Sequence, residues 1–263
     1  MQNEERHDGS VRIASLSPAA TEILFALGLG GRIVCTDQFS NHPDEAKAIP
    51  HVRDHQNVKA ETLIEYKPEI VLTGISIQQN LAVDLRQAGF TVVHQDPRTI
   101  NAVYESIRQF GTIFDVEEKA HTLVLQMQQG LNAVKKKASL LGSKPRVYVE
   151  EWLEPPMISG NWVPEVVRIA GGEPFPIPPG ELSRAVTLEE VARFNPDLIV
   201  ISWCGAGSLV DKKLLMGRPG WDALRAVQTG HVKVIDDSLL NRPGPRLVEG
   251  AQRLYGWMFE MLH

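Results

Sequence analysis

"TLEEVARFNPDLIVISW", residues 187–203, lies over "KAETLIEYKPEIVLTGI", residues 59–75, at a constant shift of 128 positions. The register matches Glu61 with Glu189, Pro68 with Pro196 and Glu69 with Asp197. A short helix ends near Lys67-Pro68, since a proline disfavours helical backbone in the residue before it. The near-continuous apolar run that follows reads as a strand buried on both faces of a parallel sheet. Two lobes of one α/β design are implied.

Working outward, VRIASLS (11–17) reads as a first strand and PAATEILFALG as the helix after it. Ser17 is placed to cap that helix, Pro18 stands at its first position and Gly28 at its end. GRIVCTD (31–37), a helix around residues 80–88 and the strand FTVVHQD (90–96) continue the alternation. Gly28, Gly30 and Gly31 do not form a phosphate loop, because they follow a helix and precede a strand, the reverse of the order that aims a helix N-terminus at phosphate. Residues 99–141 break the rhythm. The stretch VEEKAHTLVLQMQQGLNAVKKKASLL (116–141) holds no proline and, as one helix, would run ~39 Å. Gly142 and Pro145 stop it, and PRVYVEEW (145–152) opens the second series. The expected organisation is a disordered segment over residues 1–10, an α/β lobe over 11–98, connecting helices including a rigid spine over 99–144, and an α/β lobe over 145–263.

Composition bounds the function. At 263 residues, 43% hydrophobic and 22% charged, the chain reads as an ordinary globular protein rather than a disordered or fibrous one. A net charge of −5 without a long basic run argues against nucleic acid as a partner. Lys135, Lys136 and Lys137 read as a solvated face near a helix C-terminus. No apolar run approaches the ~20 residues of a membrane span. The opening MQNEERHDGS is unlike a secretory leader, so the chain as written reads as cytoplasmic; removal of a leader would make it periplasmic or cell-surface. Cys35 and Cys204 read as buried thiols.

In open parallel sheets the natural ligand site is the crevice at the carboxyl ends of the strands, here the cleft between the lobes. Those ends supply Ser17, Pro18, Ala19, Phe39, Glu151, Trp152 and Trp203, with Trp162 and the segment DDSLLNRPGPR (236–246) nearby. For Trp152 and Trp162, packing within their own lobe is the competing reading. Trp221 and Trp257 are expected in the core. A zinc or manganese site would need about four ligands converging from both lobes. His42, His51 and His55 crowd one lobe, His94 lies at another strand end, and His231 alone serves the second. An enzyme would need a paired nucleophile and base. No such motif appears, and Glu150 and Glu151, as strand neighbours, point to opposite faces.

The order SLSPAATEILFALGLGGRIV, DQFSNHP, AETLIEYKPEIVLT, a long helix, EWLEPPMISGNWVPEVVRIAGG and GWDALRAVQTGHVKVIDDSLLNRPGPRLVEG resembles the helical-backbone substrate-binding proteins of cobalamin, haem and siderophore importers, and most of all the cobalamin-binding members. The resemblance runs from Val11 onward. SGNWVPEVVRIAGG and NRPGPRLVEG are its most specific pieces.

The resemblance implies two Rossmann-like lobes joined by a backbone helix, the class III substrate-binding-protein fold. It implies a non-catalytic monomer that holds a corrinoid such as cobalamin in its cleft, for ABC-type import or intracellular handling. Haem or a ferric siderophore is the alternative ligand. It carries ligand contact to Asp237 and Arg242, with Arg246 left to pair locally at the start of the last helix. It also carries a permease-docking role to Glu61 and Glu189, although a glutamate in a first helical turn is favourable without any partner. Two positions depart from the pattern. Gly74 stands where a well-known cobalamin binder has a ligand-stacking tryptophan, and Asn161 where near relatives often have histidine.

Overall fold

The computed structural model describes residues 11–263, which fold as two compact units. The first comprises the described residues through Asp96 together with Ser106–Leu123; the second comprises Pro97–Glu105 and Val124–His263. The expectation of disorder over residues 1–10 lies outside the described residues.

Unit one is built on strands β1 (Ile13–Ser15), β2 (Ile33–Asp37), β3 (His51–Val52), β4 (Ile70–Gly74) and β5 (Val92–Gln95), all parallel, in the order β3-β2-β1-β4-β5. Helix α1 (Pro18–Ala26) starts where the sequence places it, with the Ser17 hydroxyl accepting from the Ala20 amide. Gly28 follows at φ +77°, a conformation that costs glycine nothing. Helices α2 (Ala60–Ile64) and α3 (Gln79–Gln87) complete the alternation. Ala14, Leu16, Cys35, Leu63, Val71, Leu81 and Leu85 form its core. Next come α4 (Ile100–Ile113) and α5 (Glu117–Ala138), a helix of 22 residues spanning ~33 Å. It is shorter than the sequence reading because its end tightens, with Leu140 and Leu141 bonding carbonyls three residues back.

Unit two carries β6 (Arg146–Trp152), β7 (Met157–Ile158), α6 (Val163–Ile169), β8 (Glu173–Pro174), β9 (Arg184–Ala185), α7 (Leu188–Phe194), β10 (Leu198–Ile201), α8 (Lys213–Met216), α9 (Arg225–Gln228), β11 (Val232–Val234) and α10 (Leu247–Leu262). Its parallel strands run β11-β10-β6-β8, the same order as β5-β4-β1-β2. The sheet is mixed because β6 outlasts β8. Arg146 and Val147 pair with β8, while Glu150 and Trp152 pair antiparallel with β7, which in turn pairs antiparallel with β9. Trp221 is core, as expected, whereas Trp257 on α10 is only half-buried.

The repeat reaches the level of single hydrogen bonds. Lys67 and Asn195 both take left-handed backbone (φ +47° and +50°) ahead of the matched prolines. In unit one the Arg12 guanidinium donates to the carbonyls of Tyr66 (2.7 Å) and Lys67 (3.1 Å), and its amide donates to the Glu69 carboxylate at 2.8 Å. In unit two Arg146 donates to the Phe194 carbonyl (3.0 Å) and its amide to Asp197 at 2.9 Å. An arginine at the start of the first strand thus satisfies carbonyls where the short helix ends, in the turn after α2 in unit one and at the last residue of α7 in unit two.

Candidate functional site

The carboxyl ends of the strands in unit one are stiffened by buried polar groups. A chain of hydroxyls runs from Ser15 to Thr21 (2.8 Å) to Ser40 (2.8 Å) and ends on the Asp37 carboxylate at 2.7 Å. The other Asp37 oxygen accepts the Phe39 amide at 2.7 Å, which fixes the half-buried Phe39, whose ring meets His55 edge-on. Ser17 and Ala19 are buried and Pro18 half-buried, so this turn presents backbone and proline ring more than side chains.

Gly74 is required by contact. A Cβ there would lie 2.8 Å from the Ser17 hydroxyl. Ile75 then adopts φ 55°, ψ 161°, a region that β-branched residues avoid and that persists only when surroundings enforce it. Gln78 does the enforcing. Its buried side chain accepts the Gly74 amide and donates to the carbonyls of Leu16 and His55, each at 2.7 Å. Ile77 is left 51% exposed on this turn.

Unit two distributes its tryptophans unequally. Trp152 is 47% exposed at the end of β6, its indole N–H held by the Glu154 carbonyl at 3.0 Å. Trp162 and Trp203 are buried (3% and 6% exposed), and their N–H groups go to the Leu240 carbonyl (2.6 Å) and the Glu150 carboxylate (2.9 Å). Both therefore pack within their own unit. Asp237 also works locally: its two oxygens accept the amides of Gly205 (2.9 Å) and Gly207 (2.8 Å), holding the turn after β10. Arg242 is half-buried; burial pushes the Asp236 carboxyl up, but the Ser238 hydrogen bonds, then Arg246 and Arg242, hold it below its usual range. Arg246 pairs locally, donating to the Ser238 hydroxyl at 2.9 Å and standing beside Glu249.

Glu150 and Glu151 differ sharply. Glu150 is fully buried, and its carboxylate receives both arms of Arg218 at 2.8 Å, the Trp203 indole and the Tyr148 hydroxyl. Burial pushes it upward even so, with Arg218 the main opposing pull. Glu151 sits where the β6–β7 pairing skips a residue, and burial pushes its carboxyl to about 7. Cys35 is buried as expected, whereas Cys204 is an exposed residue whose sulfur lies 3.1 Å from the Asn241 amide.

His51, His94 and His231 each hydrogen-bond a local threonine, Thr36, Thr73 and Thr229. Among the described residues no three His, Cys, Asp or Glu side chains gather where a metal ion would sit. No described helix is long and apolar enough to cross a membrane.

Residues 13–239 match the model of the periplasmic binding protein family. The chain belongs to that family. Its members are binding proteins rather than catalysts, and the two α/β units are those of the class III substrate-binding-protein fold. An ABC transporter substrate-binding lipoprotein of Bacillus subtilis, itself uncharacterized, is 30% identical over 252 residues, covering 92% of this chain and 78% of the relative. The vitamin B12-binding protein of Vibrio cholerae is 28% identical over 262 residues, covering 92% and 87%. Among solved structures, the periplasmic haem-binding protein of a Roseiflexus species in apo form matches with a TM-score of 0.85 at 22% identity, covering 97% of this chain and all of the other. At that identity the likeness speaks for the fold.

Three supports of this binding protein escape sequence reading: Gln78, Arg218 and Asn241. Asn241 donates to the Ser202 carbonyl at 2.6 Å and accepts the Ser202 hydroxyl at 3.0 Å, tying NRPGPR to the end of β10. A signal existed in the repeated position of polar residues after each apolar strand, yet it names no partner.

Proposed function

We propose that this protein is the substrate-binding component of an ABC-type importer and that its ligand is a corrinoid. The observation that carries the ligand is the likeness to the vitamin B12-binding protein across 92% of the chain. The geometry supports it by what each unit exposes at its strand ends. Unit one offers the Ser17-Pro18-Ala19 turn, Phe39 and the strained turn that lifts Ile77. Unit two offers the indole face of Trp152 and the guanidinium of Arg242, suited to amide, carbonyl and phosphate oxygens. Trp162, Trp203 and Asp237 act behind them as supports. A large disc with apolar faces and a polar rim suits such surfaces, mostly apolar with few convergent polar groups.

Glu61 and Glu189, exposed in the first turns of α2 and α7, are proposed to engage the importer's permease.

The test is to incubate purified protein separately with cobalamin, haemin and ferric siderophores, desalt, and record absorption spectra. Cobalamin should remain with the protein. Retention of haemin or a siderophore in its place would reassign the ligand, and retention of none would overturn the reading.

A further inference from the structure

The acid at Glu151 has no structural explanation of the kind its neighbour has. When this fold buries a carboxylate for stability, at Glu150, it fills both oxygens and brings a guanidinium. Glu151, one residue on, is half-buried without a salt bridge among the described residues. Burial raises its carboxyl, the Ser183 hydroxyl partly offsets that, and the Ser159 hydroxyl lies close by. The segment that carries Ser159 also leaves polar atoms under-used. Ser159 is 2% exposed, yet its hydroxyl makes no hydrogen bond of ordinary geometry, and the buried Oδ1 of Asn161 has no partner. Buried polar atoms are nearly always bonded, so a group of them at a strand end marks a place that a ligand completes.

Close backbone contacts fix this group in place. Asn161 takes φ +53°, its amide donates to the Glu181 carbonyl, and Gly160 donates to the Ser183 hydroxyl at 2.9 Å. A Cβ on Gly160 would lie 2.4 Å from the Glu181 carbonyl oxygen, so the 160 and 181 chains touch through backbone alone. Beside the acid stands Cys204, whose amide donates to the Glu151 carbonyl, and Asp237, which also acts on Cys204, is occupied by the Gly205 and Gly207 amides. Arg218 is committed to Glu150 and the Leu153 carbonyl.

We propose that Glu151, Ser159, Asn161 and Ser183 form a carboxamide-recognition site, and that Glu151 selects carboxamide-bearing ligands over carboxylate-bearing ones. A carboxamide presents two N–H donors and one carbonyl acceptor. The Glu151 carboxylate and Asn161 Oδ1 accept from the nitrogen, and the serine hydroxyls donate to the carbonyl. A corrin ring is fringed with carboxamides, whereas haem carries two propionates. An ionised Glu151 repels a propionate and leaves it unpaired, which is discrimination by a clash as well as by a contact. The inference rests on the tetrapyrrole reading above and names the feature that chooses within it.

Cyanocobalamin, haemin and haemin dimethyl ester, titrated at pH 6 and pH 8 into the parent protein and Glu151→Gln, test the site. Because the carboxyl is pushed to about 7, it is mostly neutral at pH 6 and mostly ionised at pH 8. Haemin affinity of the parent should fall at least several-fold between the two, while the diester, which lacks the anionic groups, stays level. Glu151→Gln should remove that fall and narrow the cobalamin-over-haemin preference at pH 8 by about tenfold, the scale of one charge-assisted contact. Ser159→Ala, a smaller change, should weaken cobalamin several-fold with an unchanged melting temperature. An unaltered preference in Glu151→Gln at pH 8, with both ligands still bound, overturns the carboxamide site alone. A parent that binds neither ligand overturns the tetrapyrrole reading and this site with it.

Discussion

At the scale of single residues, the Glu150–Arg218 pair decides how the end of unit two is held. The guanidinium is 12% exposed and the carboxylate fully buried, and the cation lies 4.6 Å from the Trp221 ring centre. Arg218→Ala would strand a charge, and breaking such a pair costs about 3–5 kcal/mol. Without Arg218, the Glu150 carboxyl loses its main downward pull and must bind a proton to remain buried. Holding that proton becomes costlier as pH rises, so the loss in urea denaturation should be larger at pH 8 than at pH 5. Adding Glu150→Gln should recover most of it. An equal loss at both pH values would put the stabilisation in the stacking on Trp221 rather than in the charge. The sequence shows Glu150 and Glu151 as strand neighbours on opposite faces. It does not show that one would meet an arginine 68 positions away, because that choice is made by tertiary packing. For the same reason Trp203 was legible as a strand-end residue and Trp162 and Asp237 as neighbours of the strand ends, while the inward direction of their polar atoms was not.

At the scale of elements, the repeated helix–turn–strand was readable because proline and apolar periodicity are local signals. The arginine clamp at its base was not, since Arg12 and Arg146 lie outside the repeated stretch. The two-residue strands β7, β8 and β9 were equally silent: no periodicity fits into so short a run. The clamp gives a paired prediction. Lys67 and Asn195 share left-handed backbone, but asparagine tolerates it through its short polar side chain and lysine does not. Lys67→Gly should therefore gain roughly 0.5–1 kcal/mol in urea unfolding, the strain relieved outweighing the flexibility added to the unfolded chain. Asn195→Gly should change stability by only about 0.3 kcal/mol in either direction. A destabilised Lys67→Gly would mean that the lysine side chain contributes to the turn beyond its backbone.

At the scale of the whole molecule, the shift of 128 does more than place two sheets, because it also equips each unit with an exposed glutamate at one address. Helices in α/β units run back against their strands, so the first turns of α2 and α7 lie at the carboxyl ends of β4 and β10, the ends that carry the candidate site. Glu189 is exposed in the first turn of α7 and lies outside the capping box proper. Glu190 closes the capping box with Thr187 and pairs with Arg184 at 2.9 Å. The Glu189 carboxyl is held below its ordinary range, by its own backbone amide first and then by Thr187, so it is ionised wherever cells grow. Replacing Glu61 and Glu189 together by alanine should abolish cobalamin uptake in cells that depend on this protein, while the purified variant binds cobalamin as the parent does. Each single change should cost part of the uptake. Full uptake by the double variant would sink the docking role and leave the two glutamates as favourable first-turn charges. Loss of ligand binding along with uptake would sink it too, by placing them in the ligand site.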